Sequence, residues 1–134
     1  MPNTHPLKDQ IALLIGEALE TVAPGAPVSL DIERPKNPAH GDFSSNAAMQ
    51  LARPLKKNPR ELAQRILTEL PASPLIARTE IAGAGFINFH LTPAAWHGVV
   101  PQIRAAGGAY GRGNAGAGHK VLVEFVSANP TGPL

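Results

Sequence analysis

Cysteine is absent from this chain of 134 residues, which excludes disulfides and thiolate metal sites and fits a reducing compartment. Aromatic residues are scarce, with four Phe, one Tyr and one Trp, so Ala, Leu, Ile and Val must fill whatever core forms. No run of about 18 apolar residues occurs, and the N-terminal Met-Pro-Asn-Thr-His-Pro lacks the basic flank and apolar stretch of an export signal. The expectation is a soluble cytoplasmic protein with no membrane segment. At this length, with 43% apolar residues, the chain can bury one small core. His5, His90, His97 and His119 show no metal-ligand spacing, so no metal site is expected.

Charge is present but unevenly placed. Residues 34–65 hold seven cations, Arg34, Lys36, Arg53, Lys56, Lys57, Arg60 and Arg65, against Asp42 and Glu61, a local balance of +5 within a chain whose net charge is +2. Such a field raises encounter rates with polyanions and can neutralise backbone phosphates. On charge alone, a solvated helical face is the alternative.

Leu7, Ile11, Leu14, Ile15, Ala18, Leu19 and Val22 recur at helical spacing until Pro24-Gly25, which predicts a long amphipathic helix. Val28, Leu30 and Ile32 alternate with polar residues and predict a half-buried strand. A loop with two prolines follows over residues 34–42, and then a short helix from near Ser45 or Asn46 to Pro54. Asn58, Pro59 and Glu61 predict the capped start of another helix, with Leu62, Ile66, Leu67 and Leu70 as its buried stripe. Strands at about residues 75–81 and 86–91 flank Gly83-Ala-Gly85 as a hairpin, and Thr92-Pro93 opens a last helix through Trp96, Val99, Val100 and Ile103. Mixed order with an adjacent hairpin indicates an α+β fold with a small, mostly antiparallel sheet of three or four strands and about four helices.

Six of the thirteen glycines fall within residues 107–118, which marks a linker. A Walker loop is excluded, because Gly118-His119-Lys120-Val121 lacks the Gly-Lys-Ser or Gly-Lys-Thr that such a loop needs. His40-Gly41-Asp42 reads as a structural turn in which Asp42 caps or braces a loop, since no nucleophile stands near it in sequence.

The most specific chemistry lies in Gly85-Phe-Ile-Asn-Phe-His-Leu91. Period two sends Ile87, Phe89 and Leu91 to the core and Phe86, Asn88 and His90 to the other face, expected to be wet. An aromatic ring two residues from a carboxamide can hold an unstacked base, the ring by stacking and the amide by reading a base edge. The alternative is a second buried layer, with Phe86 under a helix and Asn88 bonded to a loop.

Gly-Phe-Ile-Asn-Phe before a helix that starts with Pro resembles the N-terminal domain of arginyl-tRNA synthetases. So do Glu33-Arg-Pro-Lys-Asn-Pro-Ala-His-Gly-Asp42, Phe43-Ser-Ser-Asn-Ala-Ala-Met49 and Tyr110-Gly-Arg, and the stretch Val121-Leu-Val-Glu-Phe-Val-Ser-Ala-Asn-Pro-Thr-Gly-Pro-Leu134 is similar to the entry into that family's catalytic domain. The resemblance implies a D-loop-binding domain over residues 1–106, a Gly-rich linker over 107–119, and the first strand and turn of a truncated Rossmann-type domain over 120–134, short of the His-Ile-Gly-His signature.

By the same resemblance, Phe86 and Asn88 match positions that contact a D-loop base. The local charge of +5 makes Lys56, Lys57 and Arg60 the expected contacts to tRNA phosphates. Glu124, Ser127 and Asn129 match positions of the parent enzyme's arginine pocket. The parent would be an arginine-tRNA ligase that activates arginine with ATP and transfers it to tRNA(Arg). The fragment itself is expected to bind tRNA as a monomer without catalysis, with no catalytic residue. The other reading is a free-standing RNA-binding or protein-interaction module.

Overall fold

The computed structural model describes residues 7–114 and 116–124. Helix α1 (Leu7–Val22) carries the predicted stripe, with Ile11, Ile15 and Ala18 fully buried. It is followed by strand β1 (Ile32–Glu33), a single 3-10 turn (Pro38–His40), strand β2 (Phe43–Ser45) and helices α2 (Ala47–Leu55) and α3 (Pro59–Glu69). Strands β3 (Ile76–Ala82) and β4 (Phe86–Leu91) then form the hairpin, and helices α4 (Pro93–His97) and α5 (Val99–Ala106) close the described fold, with a 3-10 turn at Gly107–Ala109.

The four strands make one antiparallel sheet in the order β1-β2-β4-β3. Register places Ile32, Ser45 and Phe43 beside Ile87 and Phe89 on one face, where Ile11, Ile15, Leu51, Leu62 and Ile66 from α1, α2 and α3 complete the core. Burying side chains of this size contributes about 1.5–3 kcal/mol each. The opposite face carries Ser44, Asn88 and Glu80 in one row and Phe86 opposite Ala82 in the next. The α+β expectation therefore holds.

Several local expectations change. The predicted strand over residues 28–33 shrinks to two residues, because the Gln50 carboxamide accepts from the Ser29 N–H at 2.9 Å and donates to the Ser29 carbonyl at 3.1 Å. With both backbone groups of Ser29 satisfied by a side chain, the chain at that point needs no neighbouring strand. Strand β2 lies where a loop running into a helix was expected. α2 continues through Pro54 to Leu55 and ends on Lys56, whose φ of 49° is left-handed.

Asn58 does cap α3, its Oδ1 accepting from the Arg60 N–H at 2.8 Å, and Pro59 occupies the first turn. The predicted last helix is two: α4 stops at Gly98, whose N–H bonds the Ala94 carbonyl at 3.0 Å. Pro101 has no N–H to offer the previous turn, so the ladder restarts as α5. Residues 121–124 carry no regular structure, and Val121, Leu122 and Val123 are exposed. The rest of the predicted strand and turn lies outside the described residues.

Candidate nucleic-acid interface

The hairpin tip is fixed by two contacts with the start of α3, one dependent on glycine and one on a cation. Gly83 and Gly85 have φ of 54° and 137°, conformations that side chains rarely adopt. A Cβ on Gly85 would sit 2.9 Å from Pro59 Cβ, so the tip packs against the first turn of α3 only because that position is bare. Arg60 then donates from Nη1 to the Gly83 carbonyl at 2.6 Å. These contacts hold the start of β4, and with it Phe86, beside the α2–α3 turn that carries Lys56 and Lys57.

The loop before β2 is equally well anchored. Asn37 Oδ1 accepts from the Ala39 N–H at 3.0 Å, and the Gly41 N–H bonds the Pro38 carbonyl at 3.1 Å. At Gly41, φ is 91° and a Cβ would meet the Phe89 carbonyl oxygen at 2.6 Å, so the chain passes β4 at backbone contact. Asp42 gives its N–H to the Phe89 carbonyl and takes the Leu91 N–H on Oδ2, both at 2.8 Å. The expectation that Asp42 braces a loop holds.

This loop lies over the outer sheet face and forms with the hairpin a half-open cavity of about 390 Å³. Phe86, Asn88 and Ser44 form its floor; Glu33, Arg34, Lys36 and His40 line the loop side. Phe86 is 42% exposed, whereas Asn88 is only 2% exposed and its Nδ2 has no hydrogen-bond partner. The expectation of a wet face thus fails at Asn88, because the loop closes over it, and holds at Phe86. The second-layer alternative holds only in part: Asn88 is buried beneath the loop, but Phe86 is uncovered and the Asn88 Nδ2 donates to nothing. The flanking Glu80 carboxylate is engaged elsewhere, 3.6 Å from His90 Nε2 and 3.8 Å from Arg78 Nη1.

An unpaired buried donor costs about 1–3 kcal/mol, a cost that an acceptor entering the cavity would remove. A carboxamide offers both donor and acceptor to a base edge, the exposed ring of Phe86 offers a stacking surface, and Arg34 and Lys36 offer charge to phosphate. Of the predicted phosphate contacts, Arg60 is brought to the same end of the sheet, with one donor already used on Gly83; Lys56 and Lys57 are exposed on the adjoining turn. Arg34, Lys36, His40 and Ser44 were not singled out as site residues. Arg34 and Lys36 were visible as charge, but their placement against β4 is a tertiary contact with no local signal. Glu124 is exposed, and Ser127 and Asn129 lie outside the described residues. Among the described residues, no group of three His, Asp or Glu side chains could hold a metal ion.

Comparison with known proteins decides the family. A sequence model described as the arginyl tRNA synthetase N terminal domain matches residues 9–91, and this span includes both walls of the cavity. The chain belongs to that family. It is 75% identical over all 134 residues to an arginine-tRNA ligase of Thiobacillus denitrificans and 54% identical over 129 residues to one from Dechloromonas aromatica, covering 24% and 22% of those proteins. The chain therefore spans about a quarter of the curated relatives it matches.

Among solved structures, the Thermus thermophilus arginyl-tRNA synthetase superposes over 67% of the chain and 15% of its own, at TM-score 0.58 and 28% identity. The Plasmodium falciparum arginyl-tRNA synthetase superposes over 72% of the chain and 18% of its own at TM-score 0.64; at 12% identity it supports the fold alone. No helix of the described residues is long and apolar enough to cross a membrane.

Proposed function

We propose that this synthetase N-terminal domain recognises tRNA(Arg) through its D-loop, with one unstacked base entering the cavity between the hairpin and the residue 34–40 loop. The observation that carries the reading is the unpartnered Nδ2 of Asn88 at the floor of a cavity edged by an exposed phenylalanine and walled by cations. Phe86 stacks on the base and Asn88 reads its edge. Lys56, Lys57 and Arg60, on the turn beside the hairpin tip, take backbone phosphates and set the register of the RNA.

In the parent protein this domain serves an arginine-tRNA ligase, which activates arginine with ATP and transfers it to tRNA(Arg) in the cytoplasm. Glu124, Ser127 and Asn129 belong to its arginine pocket, where a carboxylate on a guanidinium gives a charge-assisted pair. The 134 residues alone bind tRNA as a monomer and carry no ligase activity. A tRNA(Arg) titration at several salt concentrations, with Phe86→Ala and Asn88→Ala beside the unsubstituted chain, tests the reading. Both variants are expected to weaken binding at every salt concentration while leaving the salt slope unchanged, because neither contact involves a phosphate. Equal affinity for all three chains defeats it.

A further inference from the structure

A second cavity of about 690 Å³ opens on the helix side of the same sheet edge. Its walls include Lys8, Arg34, Phe43, Trp96, Gln102 and Tyr110. Trp96 stacks on Phe43 with centroids 6.4 Å apart and planes 23° from parallel, and the Arg34 guanidinium lies 5.8 Å from the Phe43 ring and 6.0 Å from the Trp96 ring. Trp96 and Tyr110 nevertheless keep 38% and 50% of their surface exposed. Two large aromatics left open beside two cations are expensive to leave in water and suited to a planar, anionic polymer.

The shelf is continuous with the site already described. Arg34 follows β1, the edge strand, and lines both cavities; Glu33 also lines both and leaves each with a surplus of positive charge. The neighbouring groove of about 830 Å³ between α1 and the α4–α5 pair contains no charged residue at all. It has the character of a protein-packing surface, and the shelf does not.

We propose that the Trp96–Tyr110 shelf is a second base-stacking site, which takes another unpaired base of the RNA whose first base occupies the Phe86–Asn88 cavity, with Arg34 between them on the connecting backbone. This rests on the reading given under Proposed function. Trp96 is the chain's sole tryptophan, so its emission reports this shelf alone. The experiment titrates the 134-residue chain, and its Trp96→Leu, Trp96→Phe and Phe86→Leu variants, with a tRNA(Arg) transcript, following Trp96 emission and retained complex, with a thermal melt of each variant.

The expected result is quenching of Trp96 on binding, a loss of roughly fivefold or more in affinity for Trp96→Leu, which keeps apolar bulk without a π face, and near-native affinity for Trp96→Phe. Binding that responds to Phe86→Leu while Trp96→Leu binds normally and emission is unchanged overturns the shelf and leaves the first site standing. A Trp96→Leu change that lowers only the melting temperature assigns the shelf to packing against protein, and also overturns it. No RNA binding by the unsubstituted chain overturns both readings.

Discussion

Replacing Asn88 with Leu should make the domain more stable and worse at its work. Asn88 is 2% exposed and its Nδ2 meets no acceptor, so the folded state carries the desolvation cost of an unmade hydrogen bond, about 1–3 kcal/mol. Leucine has the same branched shape and no donor to strand, and its larger methyl groups can extend into the cavity and add buried apolar surface next to Phe86. For a domain of this size each kcal/mol moves Tm by about 4–8 °C, so Asn88→Leu should raise Tm by at least about 4 °C. Asn88→Asp is the opposing control: it places a carboxylate in the same buried position, opposite Glu80 in the sheet register, and should lower Tm. The assay is a circular-dichroism melt paired with a tRNA(Arg) binding isotherm on the same preparations. A rise in Tm with a loss of binding marks a residue retained for recognition. A fall in Tm for Asn88→Leu would mean that the amide is satisfied in solution and would refute the reasoning.

Gly85→Ala should lower stability by about 1–3 kcal/mol, since φ of 137° and a Cβ 2.9 Å from Pro59 force the hairpin tip off α3; urea denaturation measures it. Ile87→Ala and Phe89→Ala, both fully buried, should each cost about 2–5 kcal/mol through cavity formation, with any loss of RNA binding explained by the unfolded fraction in the same melt. Replacing Lys56 and Lys57 together by Ala should weaken binding to all tRNAs alike and flatten the logarithmic salt dependence by about one unit per lost phosphate contact, which a salt series reads directly.

Much of the fold was legible wherever the signal is local. The hairpin followed from alternation across Gly83-Ala-Gly85, and α3 from Asn58-Pro59, because turn and cap chemistry act within a few residues. Strand β2 was not legible: three residues, Phe43–Ser45, become a strand by pairing with β1 on one side and with β4, more than forty positions away, on the other. The shortening of β1 depends on the Gln50 side chain, which no periodicity reveals. At the site, the parity of Phe86 and Asn88 could be read from period two, but the burial of Asn88 could not, since it depends on a loop that Gly41 and Asp42 tie down against β4. For the same reason the placement of Arg34, Lys36 and His40 around the cavity carried no local signal, although the motif over residues 33–42 that contains them was visible.

If Asn88 and a D-loop base meet in the cavity, as proposed, a double-mutant cycle detects that meeting directly. The four affinities are those of the unsubstituted chain and Asn88→Ala, each with tRNA(Arg) and with the same tRNA carrying an abasic residue at the D-loop position under test. If the amide reads the base, either change alone should remove most of the interaction, and the second should add little, giving a coupling energy of about 0.5–3 kcal/mol. Losses that simply add, with no coupling at any unpaired D-loop position, would contradict the account.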